Sequence, residues 1–149
     1  MKPVAFEYCR PDTLAEAMDL LKEFGGDASL ISGGLSLGAM LNMRLVRPAA
    51  LIDLNRLDDL ARIETTASTV ETGALVRQAA AMKSADLTDA VPLLAQAMPW
   101  VGHYQTRSRG TLGGSVAHAD PSAEIPLCLV TLGGTVRLRS PAGARDVAA

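Results

Sequence analysis

Aromatic side chains are nearly missing from this 149-residue chain. They make up 3% of it, with one Trp, two Tyr and two Phe. Any core must therefore be aliphatic, and 48% hydrophobic residues supply enough Leu, Val, Ile, Ala and Met for one. Cysteine is as scarce. Cys9 and Cys128 lie too far apart in sequence for a disulfide framework or a metal signature, and they read as buried or half-buried thiols. His103 and His118 lack metal-ligand spacing with each other or with a cysteine. The formal net charge is −2 and there is no long basic run, which excludes a nucleic-acid or anionic-membrane surface. No apolar run approaches the roughly 20 residues a membrane helix needs, so no membrane insertion is expected. The opening "MKPVAFEYCRPDT" has no apolar h-region and no small-residue cleavage site, so it does not read as a signal peptide. These absences predict a cytoplasmic protein.

Familiar nucleotide and hydrolase signatures are also absent. No Gly-Lys-Ser/Thr follows a glycine loop, no G-x-G-x-x-G opens a first βα turn, and no serine sits in a G-x-S-x-G elbow.

What is present reads as two halves. Residues 1–55 run strand, helix, strand, glycine loop, helix, strand. "VAFEYC" is extended. Asp12 or Thr13 then caps a helix, with Thr13 and Glu16 at capping-box spacing. Leu14, Ala17, Met18 and Leu21 share one face, and Gly25–Gly26 supply a left-handed stop. "ASLIS" and "ALIDL" are short buried-type strands, with a helical run to about Met43 between them. The order favours a small parallel βαβ subdomain. Residues 56–149 read as a larger α+β subdomain with antiparallel pairing. A hairpin is expected over 62–74. Helices are expected in "RQAAAM" and "DAVPLLAQAMPWV", with Pro92 near a first turn. A second hairpin turns at "SPAG". The chain stops inside what reads as a returning strand, which predicts a fragment of a longer polypeptide.

Two glycine pairs carry the chemistry. Ser32–Gly33–Gly34–Leu35–Ser36 lies between a strand and a helix start, where unpaired N–H groups and the helix dipole favour an anion. Glycines there let a phosphate approach without meeting a Cβ, and hydroxyls add donors. Thr111–Leu112–Gly113–Gly114–Ser115 repeats the equipment. Taken alone, each loop reads more readily as a tight turn without a ligand. Two of them in one short chain suggest a clamp on a diphosphate, held by backbone and hydroxyl donors because both loops lack lysine. Arg107 and Arg109 either offset ligand charge or tie the chain to carboxylates and carbonyls. Glu124 either accepts from sugar-type hydroxyls or stands as a carboxylate at a helix start.

"SGGLSL…MRL…P…LIDL" followed by "VGHYQTRSRGTLGGSVAHADPSAEIP" resembles the FAD-binding medium subunit of molybdenum hydroxylases, of the carbon monoxide dehydrogenase type, with xanthine dehydrogenase carrying a related flavin domain. The similarity runs from about Pro3 to the last residue. It implies a two-subdomain α+β FAD-binding fold, a small parallel βαβ part followed by an antiparallel sheet with helices, whose C-terminal part is missing here. It implies that Ser32, Gly33, Gly34, Leu35 and Ser36 form one pyrophosphate loop, and Thr111, Leu112, Gly113, Gly114 and Ser115 the other. Glu124 would contact the ribityl or ribose region. Ser32 replaces a usual alanine, Leu35 a frequent Gln or His, and Ser108 a common Asn. No catalytic residue and no metal ligand is implied on this chain. The partners implied are a large subunit with the molybdenum cofactor and a small subunit with [2Fe-2S] clusters, from which electrons pass through FAD to an external acceptor. The isolated chain is expected to be inactive. Two other readings stay open: a flavin-free scaffold or interaction module, and a binder of a different dinucleotide.

Overall fold

A computed structural model describes residues 2–149. Residues 7–53 contain a three-stranded parallel sheet. Its strands are β1 (Glu7–Cys9), β2 (Ala28–Ile31) and β3 (Ala50–Asp53), in the order β1-β3-β2. Glu7 of β1 and Ala28 of β2 both pair with Ala50, so β3 is central and buried along its whole length. That position explains why "ALI" is uninterrupted apolar sequence.

Helix α1 (Leu14–Phe24) connects β1 to β2 and starts as its sequence dictates. The Glu16 N–H donates to Thr13 Oγ1 at 3.2 Å. The reciprocal bond runs from the Asp12 N–H to the Glu16 carboxylate at 2.8 Å, one residue before the cap. Gly25 ends the helix with φ +54°. Gly26 is not left-handed, and a 3₁₀ turn over Gly25–Asp27 leads into β2. Helix α2 (Leu35–Asn42) connects β2 to β3 and begins at Gly34 in the left-handed conformation, φ +72°.

The second half holds more helix than strand. Its antiparallel pairing forms two separate ladders, β4 (Ile63–Thr65) with β5 (Val70–Thr72) and β6 (Thr135–Ser140) with β7 (Gly143–Ala148). Between them lie α3 (Gln78–Ala81), α4 (Ala85–Ala90), α5 (Pro92–Ala97), α6 (Tyr104–Arg109), α7 (Leu112–His118) and α8 (Glu124–Thr131). The single helix expected over "DAVPLLAQAMPWV" is split. Val91 leaves the helical region at φ −129°, ψ 70°, because Pro92 disfavours a helical residue before it, and Pro92 then opens α5.

The core is aliphatic, as the aromatic shortage requires. One cluster gathers Val76, Ala81, Leu87, Met98, Val101, Leu112 and Ile125. Another joins Ala17 of α1 to Leu57 and Leu75, so the two halves share apolar packing. Trp100 and Tyr104 are exposed at 78% and 71%. Cys9 is half-buried and Cys128 buried, both free thiols. Among the described residues no helix is long and apolar enough to cross a membrane.

Candidate cofactor-binding site

The structure brings the two glycine loops into contact across 79 residues of chain. Ser32 Oγ and Thr111 Oγ1 lie 3.1 Å apart. Behind them the backbones nearly touch: a Cβ on Gly33 would stand 2.6 Å from the Arg109 carbonyl oxygen and 2.9 Å from Gly110 Cα. Gly113 is equally confined, since a Cβ there would lie 2.5 Å from Ala74 Cα. At Gly114 it would meet Thr111 Oγ1 at 2.6 Å and Ser32 Oγ at 3.2 Å. Glycine at Gly33 and Gly113 is thus already required by backbone packing, before any ligand is considered, while at Gly114 the added atom would press on the two hydroxyls.

The loops differ in what they leave open. In the second, Leu112 N–H donates to Val76 O at 2.9 Å and Gly113 N–H to Ala74 O at 3.1 Å. Gly114 N–H donates to the capping Thr111 Oγ1 at 3.0 Å, and Ser115 N–H to Thr111 O at 3.2 Å. These bonds, with an isolated bridge between Arg77 and Thr111, occupy the amides of α7. In the first loop, the N–H groups of Gly33, Gly34, Leu35, Ser36 and Leu37 donate to nothing among the described residues. The open donors therefore sit at the start of α2, where the helix dipole adds positive potential. The second loop contributes hydroxyls: Thr111 Oγ1, bonded to Ser32, and Ser115 Oγ, which has no partner among the described residues.

A polar network that sequence reasoning missed holds the first loop in place. Asn55 Nδ2 donates to Ser32 O at 2.9 Å and also to Asp53 Oδ1. Arg77 donates from one guanidinium nitrogen to Asn55 Oδ1 and from the other to the Arg109 carbonyl, the oxygen that crowds Gly33. Tyr8 OH donates to Asp53 Oδ2, and Arg10 approaches the same oxygen at 3.7 Å. Burial pushes the Asp53 carboxyl up, but the bonds from Tyr8 and Asn55, helped by Arg10, together outweigh it and leave it below the usual carboxylate range. Burial, then the neighbouring Arg109 charge, lower Arg77, which stays protonated. No signal in the sequence marked Arg77 or Asn55, because the contacts that tie them to the loops, Ser32 with Asn55 and Arg77 with Asn55 and Arg109, span 22 to 32 residues of chain.

Leu35 and Ser36 are exposed on the first turn of α2. Arg107 is a structural tie: its guanidinium donates to the carbonyls of Val101 and Gly102 at 3.0 Å each and of Pro99 at 3.3 Å. Arg109 is exposed, and its side chain has no partner among the described residues. Glu124 opens α8, which packs on α7; it is half-buried and makes no side-chain hydrogen bond among the described residues. His103 precedes α6 and His118 ends α7. No cluster of three or more His, Cys, Asp or Glu suited to a metal occurs among the described residues.

The family described as "FAD binding domain in molybdopterin dehydrogenase" matches residues 4–149. The chain belongs to this family. It is 42% identical over 147 residues to the 6-hydroxypseudooxynicotine dehydrogenase complex subunit alpha of Paenarthrobacter nicotinovorans, covering 99% of this chain and 50% of that one. It is 38% identical over 149 residues to the carbon monoxide dehydrogenase medium chain of Hydrogenophaga pseudoflava, covering 100% and 52%. Among solved structures, quinoline 2-oxidoreductase from Pseudomonas putida 86 superposes with a TM-score of 0.96 at 40% identity, over 99% of this chain and 52% of that chain. Carbon monoxide dehydrogenase from H. pseudoflava, solved in a form lacking the Mo-pyranopterin moiety of its molybdenum cofactor, superposes with a TM-score of 0.95. The chain spans about half the length of the curated relatives it matches. The fold is thus that of the FAD-binding domain of these oxidoreductase subunits, with FAD as the family's cofactor. The residues present suit a diphosphate: a row of open amides at one helix start, flanked by Ser36, Ser115 and the Ser32–Thr111 pair.

Proposed function

We propose that this chain is the FAD-holding part of a cytoplasmic molybdenum-containing hydroxylase or dehydrogenase. Its place is between the iron–sulfur clusters of a small subunit and an external electron acceptor, with substrate oxidation at the molybdenum cofactor of a large subunit. FAD supplies the redox centre when bound. The chain's own residues bind and orient. The amides of Gly33, Gly34, Leu35, Ser36 and Leu37 donate to the diphosphate, and the hydroxyls of Ser36, Thr111 and Ser115 flank it. Gly114 lets α7 approach Ser32 of the first loop, Gly113 lets it pack on Ala74, and Leu112 anchors it in the core. Glu124 accepts from a sugar hydroxyl. Residues 1–55 and 56–149 act as the two lobes of this seat.

The observation that carries the reading is the contact between Ser32 and Thr111, which turns two distant loops into one surface beside a row of open donors. Titration of the purified chain with FAD tests it. Flavin fluorescence should change saturably at one site per chain. At 100 times the dissociation constant, bound ligand should add about 2.7 kcal/mol of stability, a readily measured rise in Tm. Millimolar FAD that leaves both signals unmoved would remove the proposal.

A further inference from the structure

Both glycine loops lack lysine, yet a diphosphate carries at least two negative charges. A full positive charge stands one hydrogen bond behind the first loop. The Arg77 guanidinium contacts Asn55 Oδ1, and the same Asn55 amide donates to Ser32 O. Its other contact is the Arg109 carbonyl, against which Gly33 is packed. Both acceptors are neutral. Arg77 forms no ion pair among the described residues, and the nearby carboxylate of Asp53 is already engaged by Tyr8, Asn55 and Arg10. Arg77 is half-buried, so solvent screens its charge only in part. The backbone of Arg77 is fixed independently by its bridge to Thr111 and by the bond from Gln78 N–H to Gly110 O at 2.9 Å.

We propose that Arg77 is a positioning residue that locks the two glycine loops into one anion-binding surface and lends that surface the positive charge its own residues lack. This rests on the reading of the loops as a diphosphate seat. It deepens that reading by assigning the charge to a residue outside both loops. The fork geometry positions Ser32 and Arg109, and the unneutralised charge acts on the phosphates across the Asn55–Ser32 bond, screened in part by solvent.

The test compares wild type, Arg77→Gln and Arg77→Lys as the purified chain, with FAD and ADP as separate probes, at low and at high salt. Tm of the free proteins reports folding. Arg77→Gln should weaken FAD and ADP about tenfold at low salt and flatten the salt dependence of both affinities. Arg77→Lys keeps the charge and loses the fork. It should keep the wild-type salt slope and recover part of the affinity, which a purely structural role would not produce. An Arg77→Gln protein with unchanged affinity, or one weakened with the wild-type salt slope, overturns the assignment. So does an Arg77→Lys protein whose salt slope matches that of Arg77→Gln. If wild type binds ADP but not FAD, the flavin reading falls while Arg77 is judged on ADP alone. If wild type binds neither, both fall.

Discussion

Replacing Gly33 by alanine is the most direct physical test of the touching loops. The added Cβ would lie 2.6 Å from Arg109 O, 2.9 Å from Gly110 Cα and 3.1 Å from Arg109 C, all backbone atoms that cannot rotate away. An ordinary contact begins near 3.4 Å, so the loops must part by about 0.8 Å. Opening the 3.1 Å Ser32–Thr111 pair by that much carries it beyond about 3.5 Å and out of hydrogen-bond range. Overpacking of this kind costs about 1–3 kcal/mol and the lost bond about 0.5–1.5 kcal/mol. A total near 3 kcal/mol lowers Tm by roughly 6–12 °C for a chain of this size. Differential scanning fluorimetry reads that directly, with Gly26→Ala as control, since a Cβ there meets nothing within 4 Å. FAD affinity measured below both transitions should fall in Gly33→Ala and hold in Gly26→Ala. A Gly33→Ala protein that melts within about 1 °C of wild type would refute the close approach of the loops. One that melts early but binds FAD normally would detach the contact from the site.

Other perturbations give separate readouts. Thr111→Val removes the α7 cap and the partner of Ser32 together, and should cost about 1–3 kcal/mol in denaturant unfolding. Glu124→Gln should weaken FAD by no more than about 0.5–1.5 kcal/mol in a fluorescence titration and leave Tm unchanged. The lowered Asp53 carboxyl contributes stability that is fully present above its unfolded value of about 3.9 and is lost as pH falls through its lower folded value. Tm should therefore drop as pH is taken from about 5 to 3 and below, and Tyr8→Phe should make that acid limb shallower.

Local chemistry was the legible part of this sequence. Thr13 and Gly25 bracket α1 because a cap and a left-handed glycine act within a few residues. The "ALI" run foretold a buried strand because burial on both faces removes alternation, and its central place came only with the pairing. The glycine pairs stood out for the same reason, as residue types with few other uses. Helices α6 and α7 were not visible as such, and α8 was marked only by the reading of Glu124 as a carboxylate at a helix start. Gly113 and Gly114 lie inside the first turn of α7, and Pro126 inside that of α8, so the usual breakers occur where a helix has spare N–H groups. Which loop keeps open amides was also hidden, because the acceptors for α7 are Val76 O and Ala74 O, on a different segment. Arg77 escaped notice since its contacts are 22 and 32 residues away.

The pairing of Ser32 with Thr111 also has a kinetic consequence. A contact spanning 79 residues forms only after the intervening chain has been closed into a loop, and such closures come late compared with local helices and hairpins. During refolding, far-ultraviolet ellipticity should return first and the ability to capture the dinucleotide last, so that ligand added early finds helices but no receptor.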